Sequence, residues 1–578
     1  MKNLKWILQW IRGSRWKLVT AIILCLSSIV FMTAESYIFS YVVDDVLMPQ
    51  TFEKLPMYLL AALGMTALYL ASTYFYHFLG EQASQAGVYN LKSALFAKLL
   101  KQTPDFYADN RSGDLINKCS GDVEMVNHFL NWCIPQWVRA AFMLVFALVV
   151  FMNISWEYTL ILFAVTPLSA VVGRKLGKKV HPAFKAAREQ LSQLNTVVQE
   201  NIAGNRVVKA FVREDYEFDK FQKENEEYKR CNIYANSIWL KFGPIIDSLA
   251  TVISVLNLTV GAVMVVLGKI TLGQLTLFLS LAWTLNEPMS MIGMLINDTQ
   301  RFNASVEKIQ ELYYSHVALQ DPAEPKQPEE ARGEITFEDV SLKYGSVSVL
   351  DHVNLHIEPG QTVGIMGPTG SGKTSLINLI TRFTEVSDGS VKLDGIDVRD
   401  YKLQDLRSRV SLTMQDVFLF SDTVESNIAY GVPDAPMEDV LEAARIADAH
   451  GFISSHEDGY DMIVGERGTG LSGGQKQRIS LARALTKKAP VLILDDTTSA
   501  VDMETEEFIQ EQLRNIPDHA TTIIVAQRVS SVMHADKIII LEDGKVSEMG
   551  SHAELMKRKG YYYNTCILQH GLLDDEIA

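Results

Sequence analysis

GPTGSGKT, Gly367 to Thr374, has the residue types and spacing of a phosphate grip. It follows G-x-x-x-x-G-K-[ST] and lies between TVGIM and SLINLITRF, so the chain passes from strand to loop to helix. Glycines let successive backbone N–H groups turn toward phosphate oxygens, the lysine reaches the terminal phosphates, and the hydroxyl after it ligates Mg²⁺. The residues expected around a nucleotide are therefore Gly367, Pro368, Thr369, Gly370, Ser371, Gly372, Lys373, Thr374 and Ser375. The run VLILDD ends in two carboxylates, Asp495 and Asp496, and the first stands where an acidic group holds Mg²⁺. A third motif, LSGGQKQR, Leu471 to Arg478, sets Ser472, Gly473 and Gly474 before a helix starting near Gln475, a second helix end suited to anions. One domain cannot aim two phosphate-gripping faces at one nucleotide. That predicts paired domains with ATP sandwiched between them.

Such loops need a rigid frame. From residue 335 to 578, short β-branched runs (ITFEDVSLKY, TVGIMG, VLILDD, TTIIVAQ, KIIILEDGKVSEMG) alternate with helical stretches, which predicts an α/β domain with a largely parallel sheet. Residues 321–334, rich in proline and acid, read as a linker. Residues 1–320 are of another kind. The chain of 578 residues is too long for one core, and 48% of it is hydrophobic. Apolar segments near 18–43, 55–79, 136–156, 158–176, 245–268 and 270–297 each approach the roughly 20 residues needed to cross a hydrocarbon core of about 30 Å. Six crossings put both termini on one side. Outward segments hold only Lys54 and Lys269, whereas 174–241 holds fourteen Lys or Arg, so the termini and the α/β domain are expected in the cytoplasm and the chain in the plasma (inner) membrane as a multi-pass protein. The long inner connections, 80–139 and 174–243, have helical spacing, which predicts membrane helices continuing into the cytosol. Residues 1–17 read as an interfacial helix with its tryptophans at headgroup level.

A net charge of −15, from 53 basic and 68 acidic residues, excludes a nucleic-acid coat. The five cysteines are scattered without a CxxC pair, so neither a disulfide framework nor a zinc site is expected.

In order and spacing these motifs resemble a type IV ABC exporter subunit, over essentially the whole chain. The resemblance implies a helical transmembrane domain joined to an ABC ATPase domain, with ATP and Mg²⁺ as cofactors. By position, Tyr344 resembles the aromatic that stacks on adenine, and Gln415 the residue that senses Mg²⁺ and the attacking water. Leu471, Ser472, Gly473, Gly474 and Gln475 would then touch ATP held by a partner subunit. VGERG (464–468) resembles the segment touching the coupling helices, SAVD ending at Asp502 the D-loop, and 106–124 the first coupling region; 204–217 follows the second.

The sequence departs from this pattern in two places. Members that hydrolyse efficiently carry glutamate after the Mg²⁺-holding aspartate, where this chain has Asp496, and a histidine at the position of Gln527. Aspartate is one methylene shorter, and a misplacement of about 1 Å costs roughly a hundredfold in rate. Glutamine donates a hydrogen bond but carries no positive charge. With the signature motif whole, the expectation is a heterodimer in which this chain supplies a slow site and completes a competent one. It would export amphipathic small molecules, drug-like or lipid-like, by alternating access among membrane lipids. The alternatives are a homodimeric lipid or peptide exporter and an ATP-gated channel. Glu35, inside the first apolar segment, either hydrogen-bonds to a neighbouring helix or attracts cationic amphiphiles. Glu287 before Pro288 is expected to mark a helix irregularity.

Overall fold

The computed structural model describes residues 2–281, 283–328, 330–515 and 520–570. Glu329 of the expected linker and residues 571–578 lie outside them, as do the side chains of 161–179 in the fourth expected crossing. The chain divides into two units, one of Met1–Leu100 and Ser112–Ser315, the other of Lys101–Arg111 and His316–Ala578.

The first unit is helical. In α1 (Lys2–Trp10) the indole N–H of Trp6 donates to the Tyr314 hydroxyl at 2.9 Å, and Trp6 and Trp10 lie edge-on against Tyr313. Two tryptophans expected among headgroups thus pack on protein. In α2 (Arg15–Val42) the hydroxyls of Ser28 and Thr33 donate back to the carbonyls of Cys25 and Ile29, at 2.7 and 2.8 Å, which removes their need for water inside an apolar helix. The next helix, α3 (Leu55–Leu99), is 45 residues long; the short α4 (Pro104–Asp109) after it belongs to the second unit, and α5 (Ser112–Cys119) and α6 (Gly121–His128) belong again to the first. A π turn, Phe129–Cys133, joins α6 to α7 (Ile134–Ile154). Beyond it come α8 (Trp156–Ala203), the short α9 (Asn205–Ala210) and α10 (Glu214–Val266), then α11 (Leu272–Leu281) and α12 (Trp283–Tyr313).

At 1.5 Å per residue the 53 residues of α10 span about 80 Å, far more than a hydrocarbon core of about 30 Å, so the helix must project beyond the bilayer. Among the described residues three helical runs are long and apolar enough to cross a membrane: Arg12–Leu47, Phe52–Leu99 and Ser112–Ile154. Val255–Val266 and Leu272–Leu281 are shorter apolar stretches. Glu35 is exposed on α2, with no hydrogen-bond or ion-pair partner among the described residues. Glu287, beside the proline inside α12, faces the guanidinium of Arg139 at 3.5 Å.

The second unit contains two sheets. Strands β1 (Ile335–Tyr344), β2 (Val347–Ile357), β4 (Asp388–Leu393) and β5 (Ile396–Asp397) form an antiparallel sheet in the order β2-β1-β4-β5. The other six are β3 (Thr362–Met366), β6 (Val410–Thr413), β7 (Val491–Asp495), β8 (Thr521–Val525), β9 (Lys537–Glu542) and β10 (Lys545–Gly550). Their order is β10-β9-β3-β8-β7-β6, parallel except for β10 against β9. Side chains alternate along a strand, and here both faces are covered. Val491, Ile493, Ile523, Val525 and Ile539 enter one core, while Leu492, Leu494, Ile524, Ile538 and Ile540 enter the other. A strand buried on both faces reads as an unbroken apolar run, which is why VLILD and KIIIL show no alternation.

The segment expected as a linker lies along this unit. Lys326 donates its backbone N–H to the Asp400 carbonyl at 2.9 Å and its ammonium to the Asp400 carboxylate at 2.7 Å. Gln327 donates to Asp405 at 2.7 Å, and Asp321 accepts the Leu403 N–H at 2.8 Å.

Candidate functional site

The site is built on the carboxyl ends of three neighbouring parallel strands. Asp495, the last residue of β7, is paired with Val525 on β8, and Val525 with Ile365 on β3. The loop after β3, the second carboxylate after β7 and the residues after β8 are therefore delivered to one edge, where ligands of such sheets bind. The loop after β3 runs into the helix Lys373–Ile380. Gly367 has φ +147° and a Cβ there would lie 2.0 Å from the Leu541 carbonyl oxygen; Gly372, the N-cap, has φ +99° with Val349 O 2.9 Å from the same imagined atom. At these two positions the backbone path itself demands glycine.

Lys373 donates to the carbonyls of Gly367 and Pro368, both at 2.8 Å. Burial pulls its ammonium below the ordinary lysine range, against the raising effect of Asp495 and Asp496. The Thr374 hydroxyl donates to Asp495 at 3.3 Å. Asp495 is buried, and that burial pushes its carboxyl above the ordinary range; the Thr374 hydrogen bond opposes the shift and the charge of Asp496 adds to it. Burial raises Asp496 as well. Asp496 stands at φ +51°, in the left-handed region, with its N–H donating to Val525 O at 2.8 Å.

A cleft of about 270 Å³ opens over these groups. Thr369, Gly370, Gly372, Lys373, Thr374 and Ser375 line it from the loop and helix, and Gln415, Asp495, Asp496 and Gln527 from the ends of β6, β7 and β8. The structure thus gathers most of the expected residues, including both departures from the family pattern. The arrangement fits a nucleotide with Mg²⁺. The Ser371 hydroxyl is buried without a partner, Gly370 has open space where a side chain would stand, and a hydroxyl lies beside a buried carboxylate at Thr374 and Asp495. Pro368 is exposed beside the cleft and does not line it. Tyr344 ends β1 at 41% exposure and does not line it either, whereas Val349 on β2 does.

Leu471, Ser472, Gly473, Gly474 and Gln475 are likewise absent from the cleft wall. Ser472 caps the helix Gly473–Thr486 reciprocally with Gln475, at 2.9 and 3.3 Å. A Cβ on Gly474 would come 3.0 Å from the Ala500 carbonyl, so this motif backs closely onto the loop after Asp496.

Two residues that brace the loop after Asp496 escaped the sequence reading. The side-chain amide of Gln477 donates to the Asp496 carbonyl at 3.4 Å and to Ser499 at 3.1 Å, and its oxygen accepts the Ala500 N–H at 3.0 Å. Glu506, almost fully buried, accepts from the Thr498 hydroxyl at 3.1 Å and from Ser531, and pairs with Arg528 at 3.3 Å. The available signal was a buried polar residue on an otherwise apolar helix face, which sequence alone does not distinguish from an exposed one.

Comparison with known proteins decides the family. The model of the ABC transporter transmembrane region matches residues 18–289, and that of the ABC transporter matches residues 350–499. An uncharacterized ABC transporter ATP-binding protein of Bacillus subtilis, YknU, is 36% identical over 551 residues, with 94% of each chain covered. The chain belongs to the ABC transporter family. This transporter is also similar to an ATP-dependent lipid A-core flippase of Desulfotalea psychrophila, 32% identical over 92% of each chain. The multidrug resistance-like ATP-binding protein MdlA of Escherichia coli is 36% identical, over 82% of this transporter and 80% of that protein. The solved structure of a bacterial Atm1-family ABC exporter with ATP bound matches the fold with a TM-score of 0.78 at 24% identity, over 97% of this chain and 99% of that one. The transporter therefore joins a helical transmembrane region and an ATP-binding domain in one chain, and the cleft beside Lys373 belongs to that ATP-binding domain.

Proposed function

We propose that this transporter is one half of a heterodimeric exporter, crossing the membrane six times and moving amphipathic molecules out of the cytoplasm or inner leaflet. Its own ATP site would hydrolyse slowly. The observation that carries this reading is the composition of the cleft: Lys373, Thr374 and Asp495 are present to bind MgATP, while the two positions that act on the attacking water and the terminal phosphate hold Asp496 and Gln527. The phosphate loop would cradle the nucleotide, and Thr374, Gln415 and Asp495 would hold Mg²⁺, which when bound neutralises phosphate charge. ATP would bridge this chain's loop to a partner's signature motif, and Leu471–Gln475 would complete the partner's site. Closure of the paired domains would turn the membrane cavity outward, and hydrolysis at the partner's site would reset it.

Similarity to a flippase and to a multidrug resistance-like protein supports an amphipathic cargo. Glu35, exposed on α2 and without a partner among the described residues, favours a cationic one. The test is the ATPase rate of the full chain purified alone and purified with the partner subunit. The heterodimer reading expects brisk hydrolysis only in the pair, with Lys373→Ala abolishing ATP binding at this chain's site and leaving the partner's site loaded. Brisk hydrolysis by the chain alone would establish a homodimer and overturn it.

A further inference from the structure

The π turn between α6 and α7 changes which residues of this chain stand together. In a π turn the backbone bond runs from residue i+5 back to residue i, as it does here from the Ile134 N–H to the Phe129 carbonyl. Residues five apart, which diverge on an α-helix, are then stacked. His128 and Cys133 are such a pair, and both turn toward Asp298 on α12. His128 Nε2 lies 3.2 Å from Asp298 Oδ2, and one ligand atom from each of the three residues falls within 4.8 Å of the others.

We infer that His128, Cys133 and Asp298 form a site for a divalent transition metal of the Zn²⁺ class, at the inner end of the third expected crossing. The donor set of imidazole, thiol and carboxylate is the mixture such an ion prefers, with a fourth position left for water. The geometry is near closed. Bond lengths of about 2.0–2.1 Å to nitrogen and oxygen put tetrahedral N···O edges at about 3.3 Å, so the His128–Asp298 spacing already matches and Cys133 need approach by no more than about 1.5 Å. The site is also supported from behind. Asp298 Oδ1 faces Arg301 at 3.9 Å, the Trp132 ring stacks on His128 at 5.2 Å, and Phe129 stacks on Phe302 at 3.8 Å, which fixes the π turn against α12. Cys133 and Asp298 are buried, while His128 keeps 40% side-chain exposure and gives the ion a way in. On binding, the metal replaces the hydrogen bond between His128 and Asp298, and the Cys133 thiol proton leaves to solvent. A bound ion would tie α6 and the π turn that leads into α7 to α12 and so restrain the relative movement of these elements.

The experiment uses the full chain, in detergent, titrated with Co²⁺ and then Zn²⁺ alone. The expected result is a thiolate-to-cobalt charge-transfer band saturating at one ion per chain and lost on adding Zn²⁺. Cys133→Ser should abolish the band, and a variant with Cys25, Cys119, Cys231 and Cys566 changed to alanine should keep it. His128→Gln and Asp298→Asn should each weaken Zn²⁺ binding by roughly tenfold or more. A single symmetric size-exclusion peak in detergent and an unchanged helical circular-dichroism melt show that each variant has folded, and His128→Gln, at a partly exposed position, serves if Cys133→Ser does not fold. Absence of the band from the wild-type chain, or its persistence in Cys133→Ser, would overturn the site.

Discussion

If this chain's ATP site is slow as proposed, replacing Asp496 with glutamate and Gln527 with histidine should convert it into a working one. The added methylene carries the carboxylate about 1.3 Å further along its chain, from a residue anchored by the Asp496 N–H to Val525 bond at the end of a strand buried on both faces. If 1 Å of misplacement costs roughly a hundredfold, recovery of that reach should lower the barrier by about 2.7 kcal/mol. Histidine at 527 lines the same cleft and adds a group able to carry positive charge beside the terminal phosphate. The gain has an opposing term. Residue 496 sits at φ +51°, a region aspartate tolerates better than glutamate, so the double variant should lose about 0.5–1 kcal/mol of stability. The assay is single-turnover ATP hydrolysis in the proposed pair, with the partner's phosphate-loop lysine replaced so that only this site reports. A rate rise on the order of a hundredfold with unchanged ATP affinity is expected. A rate within about twofold of the parent, with ATP still bound, would refute the argument from side-chain length.

Two further outcomes follow from the same site. Asp495 and Asp496 both have raised carboxyl pKa values, so the folded state holds their protons more tightly than the unfolded chain does; stability of the nucleotide-free protein should fall as pH rises from the ordinary value of 3.8 through the raised ones. Asp495→Asn should flatten that dependence in thermal melts and abolish Mg²⁺-dependent ATP binding, and an unchanged pH profile would count against the burial argument. Gln477→Ala removes three hydrogen bonds and leaves the Ala500 N–H without its acceptor, which should cost about 1–3 kcal/mol in denaturant unfolding; a cost below about 0.5 kcal/mol would show that the bridge is dispensable.

Much of the ATP site was legible because its motifs are local. GPTGSGKT dictates its own backbone through Gly367 and Gly372, and VLILD announces a strand covered on both faces, so Lys373, Thr374 and Asp495 could be placed before any fold was known. Gln415, Asp496 and Gln527 needed the resemblance, since a glutamine after a strand carries no chemistry of its own. Groups joined by tertiary contact stayed hidden. Gln477 and Glu506 read as ordinary polar helix residues until the loop after Asp496 folds onto them. The same holds for Cys133: counted along the sequence it belongs to no CxxC pair, and a π turn plus a helix 165 residues away bring it to His128 and Asp298. The six crossings rest on apolar length, and the three later ones fall where side chains are only partly described.

Gln477 ties the helix that begins with the signature glycines to the loop that begins with Asp496. In the proposed pair, that helix looks toward the neighbour's fuel while the loop looks toward the chain's own. In that arrangement, loading or emptying one pocket would be felt at the wall of the other through a single amide. If the two sites of that pair are unequal, they would not fire independently: the slow one would set the interval within which the quick one runs.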